Sequence, residues 1–203
     1  MFNEAGWDTR QARGSSSAQR FGNVPLNDLR GLWQSRVMLV VLGGLPGTGK
    51  TTIAGSLAER LAAAHVRIDA IETAMWRAGI SGDQPTGVAS YVVAEAVAET
   101  CLRNGTRVII DAVNPVEATR EAWRALARRA NTQLRVVEVV CSDRVEHQRR
   151  IERRGADLEA AKMPTWADVT TREYEQWHDP RLVVDTRQPL AECLARIEEY
   201  LSS

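Results

Sequence analysis

The sequence predicts an alternating α/β domain built on a parallel sheet covered on both faces. Short apolar runs rich in β-branched residues recur at 37–42, 65–69, 107–111, 134–141 and 182–185. They show almost no polar alternation, as befits strands buried on both sides. Segments with helical spacing separate them, at 50–64, 71–78, 86–103, 115–130, 144–154, 166–177 and 189–201. Strand, helix, strand in regular succession is the pattern of a layered α/β fold.

Taken in order, the first strand runs directly into Gly44-Leu45-Pro46-Gly47-Thr48-Gly49-Lys50-Thr51, a complete G-x-x-x-x-G-K-[ST] sequence. Ile53, Leu57 and Leu61 follow at helical spacing. A glycine loop between a strand and a helix is the setting in which this motif cradles phosphate. Backbone N–H groups of Gly44, Gly47, Thr48 and Gly49 surround the anion, Pro46 shapes the turn between them, and the helix N-terminus at Lys50, Thr51 and Thr52 adds its positive end. Lys50 is placed to reach the phosphates as a catalytic group and the Thr51 hydroxyl to hold Mg²⁺. ATP and Mg²⁺ are the expected ligands.

The second strand ends in Arg67-Ile68-Asp69, followed by Glu72. Ligands of a parallel sheet gather at the C-terminal strand ends. Asp69 therefore suits a base that orients and deprotonates an acceptor hydroxyl; the alternative is a helix cap. Arg67 and Glu72 are acceptor-binding candidates, with a solvated salt bridge as the alternative. The third strand closes on Val108-Ile109-Ile110-Asp111, where the carboxylate suits Mg²⁺. Ala112 follows in place of a water-activating glutamate, and no Asn-Lys-x-Asp segment occurs. Both absences favour phosphoryl transfer over hydrolysis.

Asn114, Pro115 and Glu117 have the spacing of a helix start, as do Asp143 and Glu146. Arg149, Arg150, Arg153 and Arg154 form two i,i+4 pairs of like charge that call for an anionic partner. ATP phosphates fit, with Arg150 and Arg154 as catalytic guanidinium groups and Arg153 and Arg154 on the nucleotide; Glu146 and Glu152 are the structural alternative. The stretch 155–164 reads as a lid over the nucleotide. Trp76 and Tyr91 either stack on an acceptor ring or pack in the core, and the same choice holds for Trp166, Tyr174 and Trp177.

Charges balance at 26 basic and 26 acidic residues, which argues against a nucleic-acid partner. No apolar stretch approaches the ~18 residues of a membrane helix, so no membrane partner and a cytoplasmic address are expected. Cys101, Cys141 and Cys193, with scattered histidines, offer no metal spacing. Residues 1–34 read as a flexible extension, although Phe2, Trp7, Phe21 and Trp33 could dock on the domain or a partner. Residues 35–203 form the domain, with its lid over about 144–178.

The phosphate loop, Arg67-x-Asp69, Asp111-Ala112-Val113-Asn114 with Arg120, and the arginine-rich helix resemble small P-loop kinases. That group includes polynucleotide 5′-kinase, gluconate kinase, chloramphenicol phosphotransferase and zeta toxin. Cys141-Ser142-Asp143, Trp166-x-Asp168-Val169, Arg172-Glu173-Tyr174-Glu175-x-Trp177 and Asp185-Thr186 are similar to a bacterial "predicted kinase" branch. The resemblance covers 37–201 and implies a P-loop NTPase three-layer sandwich with sheet order 2-3-1-4-5. It also implies an aspartate base at Asp69 and nucleotide or substrate roles for Arg120 and the lid arginines; Asp111 and Asn114 are further candidates for the acceptor. The function expected is ATP-dependent phosphorylation of a hydroxyl on a small molecule such as a sugar, nucleoside or natural product. Alternatives are a kinase of a nucleic-acid 5′-hydroxyl or nucleotide-sugar, and a nucleotide-binding regulator without turnover.

Overall fold

A computed structural model describes residues 37–153 in full, the backbone of 154–157, and residues 164–203. The expected extension 1–34 and residues 158–163 of the expected lid stretch 155–164 lie outside the described residues. The strands are β1 (Met38–Gly43), β2 (Ala64–Arg67), β3 (Val108–Asp111), β4 (Gln133–Val140) and β5 (Leu182–Asp185). The helices are α1 (Lys50–Leu61), α2 (Ile68–Arg77), α3 (Thr86–Arg103), α4 (Glu117–Arg129), α5 (Arg144–Asp157), α6 (Trp166–Thr171) and α7 (Leu190–Ser202).

All five strands pair in parallel in the order β2-β3-β1-β4-β5. The strands lack alternation because both faces are covered. Leu39 and Val41 of β1 pack with Val108 and Ile110 against Ala94, Ala98 and Leu102 of α3 and Trp123 and Leu126 of α4. Val40 and Leu42 join Ile109, Val137 and Val139 against Ile53 and Leu57 of α1 and Leu194 and Ile197 of α7. Helix, sheet and helix make the three layers.

Register delivers the chemistry to one end. Asp111 pairs with Leu42 on one side and Arg67 on the other, while Gly43 pairs with Glu138. The last residues of β2 and β3 therefore stand beside the start of the glycine loop.

Among the boundaries that depart from the sequence reading, three bear on the site. Helix α2 begins at Ile68, so Asp69 stands in its first turn instead of on the strand. Helix α4 begins at Glu117 with Val116 as N-cap and no side-chain cap, because Asn114 is committed elsewhere. Helix α6 stops at Thr171, and the rest of the expected helix 166–177 is irregular. That segment is pinned by contacts to α4: Glu175 N–H donates to the Pro115 carbonyl, and its carboxylate accepts from Glu117 N–H. Asp143 does cap α5, its Oδ1 accepting from the Val145 and Glu146 N–H groups at 3.0 Å.

Candidate active site

The loop that leaves β1 is shaped by steric exclusion. Gly44 has φ +137°, and a Cβ there would stand 2.1 Å from the Val139 carbonyl oxygen. Gly49, at φ +96°, is the N-cap of α1. L-side chains disfavour both conformations. Three loop carbonyls are gripped by side chains. The Leu45 oxygen accepts from Lys50 Nζ at 2.8 Å and Thr48 Oγ1 at 2.9 Å. The Thr48 oxygen accepts from Thr186 Oγ1 at 2.8 Å, and the Pro46 oxygen lies 2.7 Å from His147 Nε2. Pro46, Gly47 and Gly49 thus occupy a braced turn, with Thr51 and Thr52 in the first turn of α1.

Asp111 is 4 % exposed, and among the described residues its Oδ2 has no hydrogen-bond partner. His65 Nε2 stands 3.5 Å away and Arg67 Nε 3.8 Å, both long for a hydrogen bond. Burial pushes the carboxyl toward a higher pKa. The His65 ring, the Lys50 charge and the Thr51 hydroxyl together outweigh that push and hold it below the ordinary aspartate value. A buried, ionised carboxylate with an unsatisfied oxygen beside a threonine hydroxyl fits a hard cation. Among the described residues no cluster of three His, Cys, Asp or Glu could hold a metal by itself. Mg²⁺ needs no such cluster, because it keeps water and phosphate oxygens in its shell.

Arg67 links this carboxylate to a second one. Its Nη2 lies 3.4 Å from Asp69 Oδ2, and the Asp69 side chain is 65 % exposed. Asp69 makes no cap bond on α2, whose N-cap is Arg67. Glu72 Oε1 accepts from Thr86 Oγ1 at 2.8 Å, and Trp76 Nε1 donates to the same hydroxyl at 3.2 Å. These contacts join α2 to the start of α3. The Tyr91 ring packs 6.0 Å from Trp123, and its hydroxyl accepts the Asn114 N–H. Burial pushes that phenol up to about 12, so Tyr91 belongs to the wall and stays neutral.

Two residues expected at the acceptor are engaged by the scaffold. Asn114 is fully buried at φ +52°; its amide donates to the Leu42 carbonyl and accepts from Trp123 Nε1. Arg120 is 2 % exposed and donates to the carbonyls of Asn114, Pro115, Glu175 and Gln176. Its guanidinium lies 4.1 Å from the Trp177 ring centroid. Four of its five N–H donors are engaged in this way. Tyr174 and Trp177 belong to the same buried unit, the Trp177 indole donating to Tyr174 Oη and Tyr174 to Glu138.

Among the lid arginines, Arg150 reaches the loop. It donates to Thr186 Oγ1 at 2.8 Å and to Glu146 at 2.9 Å, and a Cβ on Gly49 would stand 3.8 Å from it. Arg149 pairs with Glu146, Arg153 is exposed on α5, and the Arg154 side chain lies outside the described residues. His65, His147 and Thr186 are neighbours of the site that the sequence reading did not assign. Single histidines carry no local pattern, and only strand register and helix packing bring them here.

A model of the AAA domain family matches residues 39–176. The chain belongs to that family. Among curated proteins no sequence match is found for this AAA domain. It is similar in fold to a candidate kinase from Chloroflexus aurantiacus J-10-fl, with a TM-score of 0.67 and 21 % identity over 81 % of this chain and 98 % of the other. The APS kinase CysC of Mycobacterium tuberculosis, in complex with AMPPNP and APS, superposes with a TM-score of 0.65 at 18 % identity, covering 83 % and 99 %. A gluconokinase from Sinorhizobium meliloti 1021 gives 0.54 at 20 % identity, covering 81 % and 95 %. At these identities the likeness shows the fold, and this AAA domain has the P-loop kinase-like sandwich. No helix among its described residues is long and apolar enough to cross a membrane.

Proposed function

We propose that this AAA domain is an ATP-dependent phosphotransferase that moves the γ-phosphoryl group to a hydroxyl of a small molecule. The observation that carries the proposal is the Arg67 bridge. One guanidinium lies between a buried carboxylate suited to Mg²⁺, Asp111, and an exposed one suited to a hydroxyl, Asp69. Bound Mg²⁺, held by Thr51 and Asp111, would neutralise charge on the phosphates. The Gly44–Thr52 region (44–52) cradles those phosphates, and Lys50 leaves the Leu45 carbonyl to meet them. Arg150 approaches from α5 once its Thr186 contact is exchanged for phosphate, with Arg153 and Arg154 as further cations on the same helix.

Asp69 accepts the acceptor's proton while the hydroxyl oxygen bonds to the γ-phosphorus. The bond from that phosphorus to the β–γ bridging oxygen breaks, and ADP leaves. Arg67 steadies Asp69, and Glu72 with Trp76 shapes the acceptor wall. Ala112 after Asp111 leaves no carboxylate there to activate water, so hydrolysis without acceptor is slow. Neutral overall charge favours a small acceptor over a nucleic-acid end.

The test has two arms. Mg·ATP should raise the melting temperature by mass action, and a panel of sugars, nucleosides and natural products should contain one that drives ADP release. Absence of any shift with ATP, GTP, CTP and UTP would sink the proposal. So would vigorous ATP hydrolysis by the pure protein with no acceptor.

A further inference from the structure

His147 takes no part in the transfer chemistry above, yet it is built into the wall of the glycine loop. It lies on α5 and is 6 % exposed. Its Nε2 stands 2.7 Å from the Pro46 carbonyl oxygen. A carbonyl can only accept, so Nε2 carries the hydrogen. The ring also borders the next residue: a Cβ on Gly47 would meet His147 Cδ2 at 3.3 Å.

The geometry of one peptide gives this bond its consequence. The Pro46–Gly47 peptide is planar, and its C=O and N–H point in opposite directions. Holding the Pro46 oxygen toward His147 therefore turns the Gly47 N–H the other way, away from α5. In a phosphate loop the N–H groups are the ligands. The Lys50–Leu45 bond must open when Lys50 serves phosphate, whereas the His147–Pro46 bond uses no phosphate-binding group and can persist in both states.

The same ring has a second neighbour. Trp166, the first residue of α6, meets it edge-on, with centroids 5.2 Å apart and planes at 79°. Arg144 stands 5.7 Å from the other ring in a cation–π contact. Helix α6 is itself fixed at its start by a capping box between Thr165 and Asp168.

We infer that His147 is a positioning residue, which aims the Gly47 N–H at the nucleotide phosphates and couples the docking of α6, through Trp166, to nucleotide affinity. The inference rests on the reading that the loop binds nucleotide. Coupling of this kind is reciprocal: nucleotide must tighten α6 as much as docked α6 tightens nucleotide.

The experiment measures Mg·ATP affinity by calorimetry, well below each melting temperature, on the full chain. His147→Leu removes the donor, His147→Gln restores one at similar reach, and Trp166→Leu breaks only the ring contact. His147→Leu should weaken affinity about five- to tenfold, the scale of one hydrogen bond. His147→Gln should recover to within about threefold of wild type, and Trp166→Leu should weaken binding about threefold. Mg·ATP should slow amide exchange in 166–171 of the wild type and lose that effect in His147→Leu. A purely structural histidine would lower the melting temperature and leave affinity unchanged, and that result overturns the inference alone. A wild type that binds no nucleotide overturns the kinase reading and this inference together. Should His147→Leu fail to fold, nitrogen NMR of the wild-type ring decides: an Nδ1–H tautomer overturns the proposal.

Discussion

On the β1, β4 and β5 half of the sheet end, each functional group is braced by others. The loop carbonyls are held by Lys50, Thr48, Thr186 and His147, and Arg150 is tied to Thr186 and Glu146. On the β2 and α3 half more of the side chains stand open. Asp69 is 65 % exposed, and α3 shows Val88, Val92, Val93 and Val97 to the outside at 69, 61, 42 and 44 %. Phosphate is the same ligand in every nucleotide, so a rigid cradle can be specified by one short motif. An acceptor is particular to one enzyme, and its recognition is left to exposed residues that cost little stability to change.

That contrast can be broken most sharply at Lys50. Lys50→Ala should remove phosphoryl transfer to below detection while circular dichroism shows a folded protein, because its ammonium ties to a loop carbonyl and would serve phosphate, not the apolar core. Retained turnover would end the idea that the cradle is the seat of catalysis.

Asp69→Asn comes next. Transfer should fall by about 100-fold, the usual scale for a lost base, with Mg·ATP affinity held. Stability should move by no more than about 0.5 kcal/mol, as for other exposed positions. Near-normal turnover with a true acceptor would leave the base to be sought at Glu72 or Asp111.

Arg120→Leu tests the opposite half of the contrast, since it strips donors from four carbonyls. It should cost roughly 2–3 kcal/mol in a denaturant melt, the penalty for buried acceptors left unpaired. The Michaelis constant for acceptor should stay the same. A change confined to acceptor binding would return Arg120 to the substrate side.

The smallest effect is a pH dependence. Asp111 has its folded pKa below the ordinary aspartate value of 3.8. Its contribution to stability is therefore complete above that value and lost as pH falls through the folded one. Asp111→Asn should flatten the acid limb of a stability-versus-pH curve and weaken the Mg²⁺ dependence of the rate. An acid limb identical to wild type would show that the carboxylate carries no such linkage.

What the sequence made legible follows the same division. The glycine loop and Asp111 were readable because their chemistry is local: a motif between a strand and a helix, and a strand ending in a carboxylate. The order of the sheet came with the family resemblance, and strand ends fell within a residue or two. Asn114 was misread because Asn-Pro before a helical pattern looks like a cap, while its actual partner is Leu42 in a distant strand. The segment after Thr171 was misread because its aromatics imitate helical spacing, whereas they are held by Arg120 and Glu138 from other elements. His65 and His147 had no pattern to find, since strand pairing and helix packing alone make them neighbours of Asp111 and Pro46.

The strand order also governs the order of assembly on the ribosome. β1 is synthesised before its neighbours yet lies in the middle of the sheet, with Leu39 paired to Val108 and Leu134. The glycine loop leaves the exit tunnel long before Val139, His147 and Thr186 exist to brace it. Local contacts cannot close it, and the loop waits on strand pairings of high sequence separation, the slow kind. A nascent chain halted before β4 therefore carries a complete phosphate motif and no phosphate cradle, and nucleotide in the cell can rescue this fold only after β4, α5 and Thr186 have been made.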